Sequence, residues 1–152
     1  MKLAEALIWR ADAKKRLEQL KQRLLRNAKV QEGDAPAEEP AALLAEHARL
    51  ADEFMQIIQR INRTNSATPL REGMTIADAL AVRDVLAVRV DVLRSLTQVA
   101  TVTQDRYTKS EVKFRSTVNI AELQQQVNRF AVEHRELDAQ IQALNWQIEL
   151  LE

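Results

Sequence analysis

Residues 120–151 place Ile120, Leu123, Val127, Phe130, His134, Leu137, Ile141, Leu144, Ile148 and Leu151 in alternating steps of three and four. A repeat of this kind, held for more than four heptads, demands a long helix with one stripe turned toward another helix. It constrains the chain more than any other feature, and the other long segments obey the same rule. Leu3–Asn27 reads as a helix with a stripe of Leu3, Ala6, Arg10, Ala13, Leu17, Leu20, Leu24 and Asn27. Ala41–Asn65 carries Leu43, His47, Leu50, Phe54, Ile57 and Ile61. Ile76–Val102 carries Ile76, Ala79, Arg83, Leu86, Val90 and Leu93.

The punctuation agrees with four long elements. The 152 residues include only Gly 2 and Pro 3, where average usage would give about ten and about eight. Gly33 and Pro36 interrupt the first connection, and Pro40 pre-sets the first turn of the second helix. "NRTNSATPLREG" stops that helix, and Thr75 caps the third with Asp78 three residues on. The expected fold is mainly α: one domain over 1–152, four long antiparallel helices in an up-down-up-down bundle or coiled coil, and a short β-ribbon at one end. The ribbon is expected from "SEVKFRSTV", residues 110–118, whose Val112, Phe114, Thr117 and Val118 are strand formers, paired with "AKVQ" at 28–31.

Helices three and four hold more apolar surface than one stripe needs. Val82, Val85, Val88 and Val99 widen the third, and Ala131 and Trp146 the fourth. A homo-oligomer is expected to bury the excess.

Lys+Arg 22 balances Asp+Glu 22, so no bulk field draws the chain to nucleic acid or an anionic membrane. Cysteine is absent, which excludes disulfides, a thiolate nucleophile and a cysteine–zinc site. No apolar run approaches the ~20 residues of a membrane span. Arg10 and Asp12 interrupt the N-terminal apolar stretch before it forms a signal segment. A cytoplasmic location is expected. Neither a glycine-rich dinucleotide loop nor a Walker loop is present, and no hydrolase triad assembles, so no catalytic residue and no cofactor is assigned.

At this point the polar helix ends carry a resemblance. "RLLRNAKVQEG", "RINRTNSAT", "DRYTKSEVKFRSTV" and "LNWQIELLE" resemble, end to end, the septicolysin-like family of small, largely uncharacterised bacterial proteins. The resemblance implies a compact helical protein, and the family's name implies a cytolysin. A thiol-dependent lytic mechanism would need the cysteine this chain lacks.

Three groups of residues stand out as candidate sites. Arg10 and Arg83 lie on seams and, in the bundle, share a layer. They require carboxylate partners, with Asp12, Glu53, Asp84 and Glu149 in reach, or else they form an anion pocket. Arg60, Asn62, Arg63, Asn65, Arg71, Asn145 and Trp146 gather at the same end, as caps and turn formers or as a site for a small anionic ligand or RNA. Arg106, Tyr107, Lys109, Lys113 and Arg115 form a basic, aromatic stretch that can stack bases and neutralise phosphates, or a salt-bridged ribbon.

The two histidines, in "AEHARL" and "VEHREL", occupy equivalent seam positions. His47 and His134 are offset by about 12 Å along parallel helices, which argues against one shared metal ion. His134, between Phe130 and Leu137, is expected in a packed seam or a subunit interface rather than on a metal, as a residue that fixes register or contacts a neighbouring chain. The function expected from these features is a self-assembling, non-enzymatic binding or scaffold protein. The alternatives are a nucleic-acid or phosphate-ligand module using an arginine-rich end, and the membrane-active role that the resemblance implies.

Overall fold

A computed structural model describes residues 1–102 and 113–152. Among these, four helices form: α1 (Leu3–Arg26), α2 (Pro40–Ala67), α3 (Ile76–Ala100) and α4 (Ile120–Asn145). A hairpin of β1 (Pro69–Arg71) and β2 (Met74–Thr75) joins α2 to α3. The chain divides into two compact units, one of Met1–Pro69 with Gln142–Glu152 and one of Leu70–Ile141.

In the first unit, α1 and α2 meet through Ala13, Leu20, Leu43 and Leu50, with Trp9, Leu17, Leu24 and Phe54 packed around them. These are the expected stripes, and burying each large apolar side chain contributes about 1.5–3 kcal/mol. On α2 the stripe continues past Ile57 and Ile61 into Thr64 and Thr68, both buried.

The corner after α1 is built by polar residues. Asn27 donates its side-chain amide to the Arg23 carbonyl (2.9 Å) and accepts from the Glu38 N–H (3.0 Å). Arg23 forks onto the Glu38 carboxylate, with Nε 3.1 Å from each oxygen and Nη2 on Oε1. Hydrogen bonding from Arg23 holds Glu38 below the usual carboxylate range. Gly33 takes φ +92° in this connection, a conformation that costs glycine little.

In the second unit, Gly73 turns the hairpin at φ +70°. Thr75 then caps α3 as its sequence implies. Its hydroxyl accepts from Asp78 N (3.2 Å) and donates to Asp78 Oδ2 (2.7 Å), and its own N–H donates to the same oxygen (2.9 Å). Those bonds hold Asp78 below its ordinary value. Ile76, Ala79, Leu86 and Val90 form the buried stripe of α3, and Leu137 and Ile141 are the buried positions of α4 in this unit.

Two expectations are corrected. Residues 28–31 and 113–118 are irregular rather than paired strands, and 110–112 lie outside the described residues. The two-stranded sheet sits instead at 69–75, where "TPLREGMT" reads as a helix stop and Gly73 supplies the turn. Helix α4 also ends at Asn145 instead of running to Leu151. The chain leaves the helix there because 148–150 pair with the N-terminal residues. Leu3 N donates to Ile148 O, and Leu150 N donates to Met1 O, both at 2.9 Å. Lys2 and Glu149 form an antiparallel bridge.

Candidate functional site

The residues singled out in the sequence are dispersed over both units. Arg60 and Arg63, one turn apart on α2, grip the last residues of the chain. Arg60 Nε donates to Leu151 O (3.0 Å) and Arg63 Nε to Glu152 O (2.9 Å). Next to Arg63, Thr64 donates its hydroxyl to Arg60 O (2.8 Å) and accepts from Leu151 N (3.0 Å). Asn145 is buried, and its Oδ1 has no hydrogen-bond partner among the described residues. Asn62 is exposed, Asn65 is half-buried and Trp146 is 57% exposed. Glu149 pairs with Lys2 and with the N-terminal ammonium, and those hydrogen bonds lower its pKa. This end thus uses its arginines and Thr64 to hold the terminal segment.

Arg10 and Arg83 belong to different units. Arg10 is exposed on α1. Arg83 lies between two carboxylates of its own unit: Nη1 is 2.9 Å from Asp138 Oδ1, while Nη2 and Nε are 3.1 and 3.2 Å from Asp84 Oδ1. Burial opposes its charge, but the bonds to Asp138 and Asp84 outweigh that, and the Arg83 pKa is raised. Asp84 was among the anticipated partners; Asp138 was not. Of the other three, Glu53 pairs with Arg49 and Glu149 with Lys2, and Asp12 is exposed.

Arg71 is exposed on β1 and lines a cleft of about 220 Å³ with Val82, Leu86, Glu133, Glu136 and Gln140. Of the basic stretch, Arg106, Tyr107 and Lys109 lie outside the described residues. Lys113 and Arg115 are exposed on irregular chain, and Arg115 lines a cleft of about 400 Å³ with Leu96, Val99 and Phe114.

His134 is half-buried within the chain. It lines a cleft of about 400 Å³ between α3 and α4, together with Ala87, Val90, Asp91, Arg94, Ala131 and Arg135. The small side chains of Ala87 and Ala131 leave the seam open where larger ones would close it. Arg94 also lines a neighbouring cleft of about 490 Å³ with Thr97, Gln98, Gln124, Val127 and Asn128. Sequence reading missed Arg94 and Arg135. The available signal was the His134–Arg135 pair with the small Ala131 three residues before the histidine, beside an otherwise bulky stripe.

At the same level of these two helices, Arg89 and Arg129 lie over the Phe130 ring at 5.5 and 5.0 Å from its centroid. Among the described residues no group of three or more histidine, cysteine, aspartate or glutamate side chains is placed to hold a metal ion. No described helix is long and apolar enough to cross a membrane.

No protein of curated function matches the chain. A solved structure does: the crystal structure of a functionally unknown conserved protein from Corynebacterium diphtheriae. It is 47% identical, covers 99% of each chain and superposes with a TM-score of 0.94. Residues 10–150 match the model of a family of unknown function, DUF6847. These findings overturn the septicolysin resemblance, because neither the family nor the solved protein carries a link to it. Two of the phrases that carried it have local structural duties: "RLLRNAKVQEG" supplies Arg23 and Asn27 of the α1 corner, and "RINRTNSAT" supplies the grip of Arg60, Arg63 and Thr64. The chain belongs to the DUF6847 family, a family of unknown function.

Proposed function

We propose that this protein is a non-enzymatic binding or scaffold protein that works as a homo-oligomer, with α3 as the contact between copies. One observation carries the reading: α3 is apolar on two faces. Ile76, Ala79, Leu86 and Val90 are buried, while Val85, Val88, Val92, Leu96 and Val99 form a second stripe that is exposed, Val88 by 68% and Val99 by 85%. Scattered apolar residues on a surface need no explanation, but a continuous stripe of five on one helix face is an interaction surface.

The steps along the stripe are three, four, four and three residues, symmetric about Val92. Two copies of α3 laid antiparallel about a two-fold axis at Val92 therefore match Val85 with Val99 and Val88 with Leu96. That is the self-complementary arrangement an isologous dimer requires. The chain has no cysteine, so a single introduced one reports this contact cleanly. Val92→Cys is expected to form a disulfide-linked dimer under mild oxidation, while Glu133→Cys on α4 does not. Equal cross-linking of both variants, or of neither, contradicts the reading.

A further inference from the structure

The α3–α4 pair is unevenly buried along its length. Near the hairpin it has a core: Ile76, Ala79, Leu86 and Val90 of α3, and Leu137 and Ile141 of α4. Farther out, no described residue from Asp91 to His134 is buried, and the stripe positions Leu93, Leu123, Val127 and Phe130 are only half-buried. Helical stability in a folded chain comes mainly from packing of the apolar face, which must offset the entropy of ordering the helix. The far half of this pair therefore requires a core that the described residues do not supply.

The same end holds the two most exposed apolar side chains, Val99 and Phe114, the latter 80% exposed. Both line the cleft of about 400 Å³ together with Leu96, Ala100, Val102 and Arg115. The chain after Phe114 is fixed locally. Ser116 donates its hydroxyl to Val118 O (2.8 Å), and Asn119 accepts from Glu122 N (3.2 Å) at the start of α4. Leu96 and Val99 are also the last two members of the exposed α3 stripe, so cleft and stripe form one surface.

We infer that a second copy of the chain completes this far end, with Phe114 seated against the second copy's Val82 and Val85, and Arg115 paired with the second copy's Asp84. The inference rests on the α3 pairing proposed above and names what else that contact holds. With the two-fold axis at Val92, the coreless half of each α3 lies on the packed half of the other. Val99 then stands level with Val85, and Ala100 with Asp84. The charges agree. Arg115 has no carboxylate partner among the described residues. Asp84, one residue before Val85, is 70% exposed and uses only Oδ1 for Arg83. A parallel pairing would instead bring Arg115 to Arg115, like charge to like. The two-fold makes the contact twice, an aromatic anchor with a charge pair at its rim.

Dimer dissociation constants of the full chain, measured by sedimentation equilibrium, test the contact. Phe114→Ala is expected to raise Kd about tenfold or more, and Arg115→Glu and Asp84→Lys about tenfold each. Combining Arg115→Glu with Asp84→Lys is expected to restore Kd to within about threefold of wild type, a rescue that only a direct pair produces. All three side chains are exposed, so the variants are expected to fold. If Val92→Cys cross-links but Phe114→Ala leaves Kd unchanged, or the double variant is weaker than either single one, this contact is overturned and the α3 pairing stands. A wild type that stays monomeric overturns both.

Discussion

Helices α1 and α2 close against each other along their stripes, and helices α3 and α4 leave clefts along theirs. In the α1–α2 pair the positions 13, 20, 43 and 50 are Ala, Leu, Leu and Leu, all buried, and the polar residues work at the ends. In the α3–α4 pair the stripe carries Arg83, Phe130 and His134. A salt bridge to Asp138, cations over an aromatic ring and an open cleft stand where close packing stood in the other unit. Arg10 and His47 fall on the α1 and α2 stripes as well, so a polar stripe position does not by itself open a seam. Helices α1 and α2 pack around Ala13, Leu20, Leu43 and Leu50, whereas α3 and α4 leave clefts beside Ala87 and Ala131.

The largest expected effect is in the packed pair. Leu50→Ala removes a 2%-exposed side chain from the α1–α2 core and is expected to cost about 2–5 kcal/mol in thermal or denaturant unfolding. Matching truncation of half-buried Val127 on α4 is expected to cost about 1 kcal/mol or less, within the ordinary range for such sites. Equal losses would erase the contrast between the pairs.

Next comes the seam's charge pair. Asp138→Ala leaves Arg83 with Asp84 alone. Because both side chains reach solvent, 25% and 38% exposed, the expected cost is about 1 kcal/mol in the same unfolding measurement. Thr75→Ala removes the α3 cap and is expected to cost about 1 kcal/mol.

The smallest effect is a pH dependence at the α1 corner. Arg23 lowers the folded pKa of Glu38. Its contribution is therefore present above the unfolded carboxylate value, about 4.3, and is lost as pH falls through the lower folded value. Melting curves of Glu38→Gln are expected to lie below wild type near neutrality and to converge with it in acid. A gap that persists in acid assigns the loss to packing rather than to the ion pair.

Much of this fold is legible in the sequence because the helix signals are local. The α1 and α3 starts fall at the anticipated residues, and Pro40 and the Thr75–Asp78 cap mark α2 and α3. The hairpin is not legible, since β1 and β2 span only three and two residues, too short to show alternation. The end of α4 is also hidden, because Ile148 and Leu151 keep the heptad while residues 148–150 hydrogen-bond to residues 1–3, far away in sequence. Arg60 and Arg63 were visible as a polar cluster, but their partners are main-chain oxygens, which no side-chain pattern displays. The His134 cleft exists because Ala87 and Ala131 do not fill a space. Missing volume becomes visible only once two helix faces are set against each other.

Sedimentation velocity across a concentration series, run on wild type and on Val92→Glu, tests most directly the claim that α3's exposed stripe joins copies of this chain. The account predicts that wild type sediments at twice the 17.4 kDa chain mass or a higher even multiple, and that the buried-charge penalty in Val92→Glu returns it to a folded monomer. A wild type that stays at 17.4 kDa throughout, or a Val92→Glu variant that keeps the wild-type mass, contradicts it.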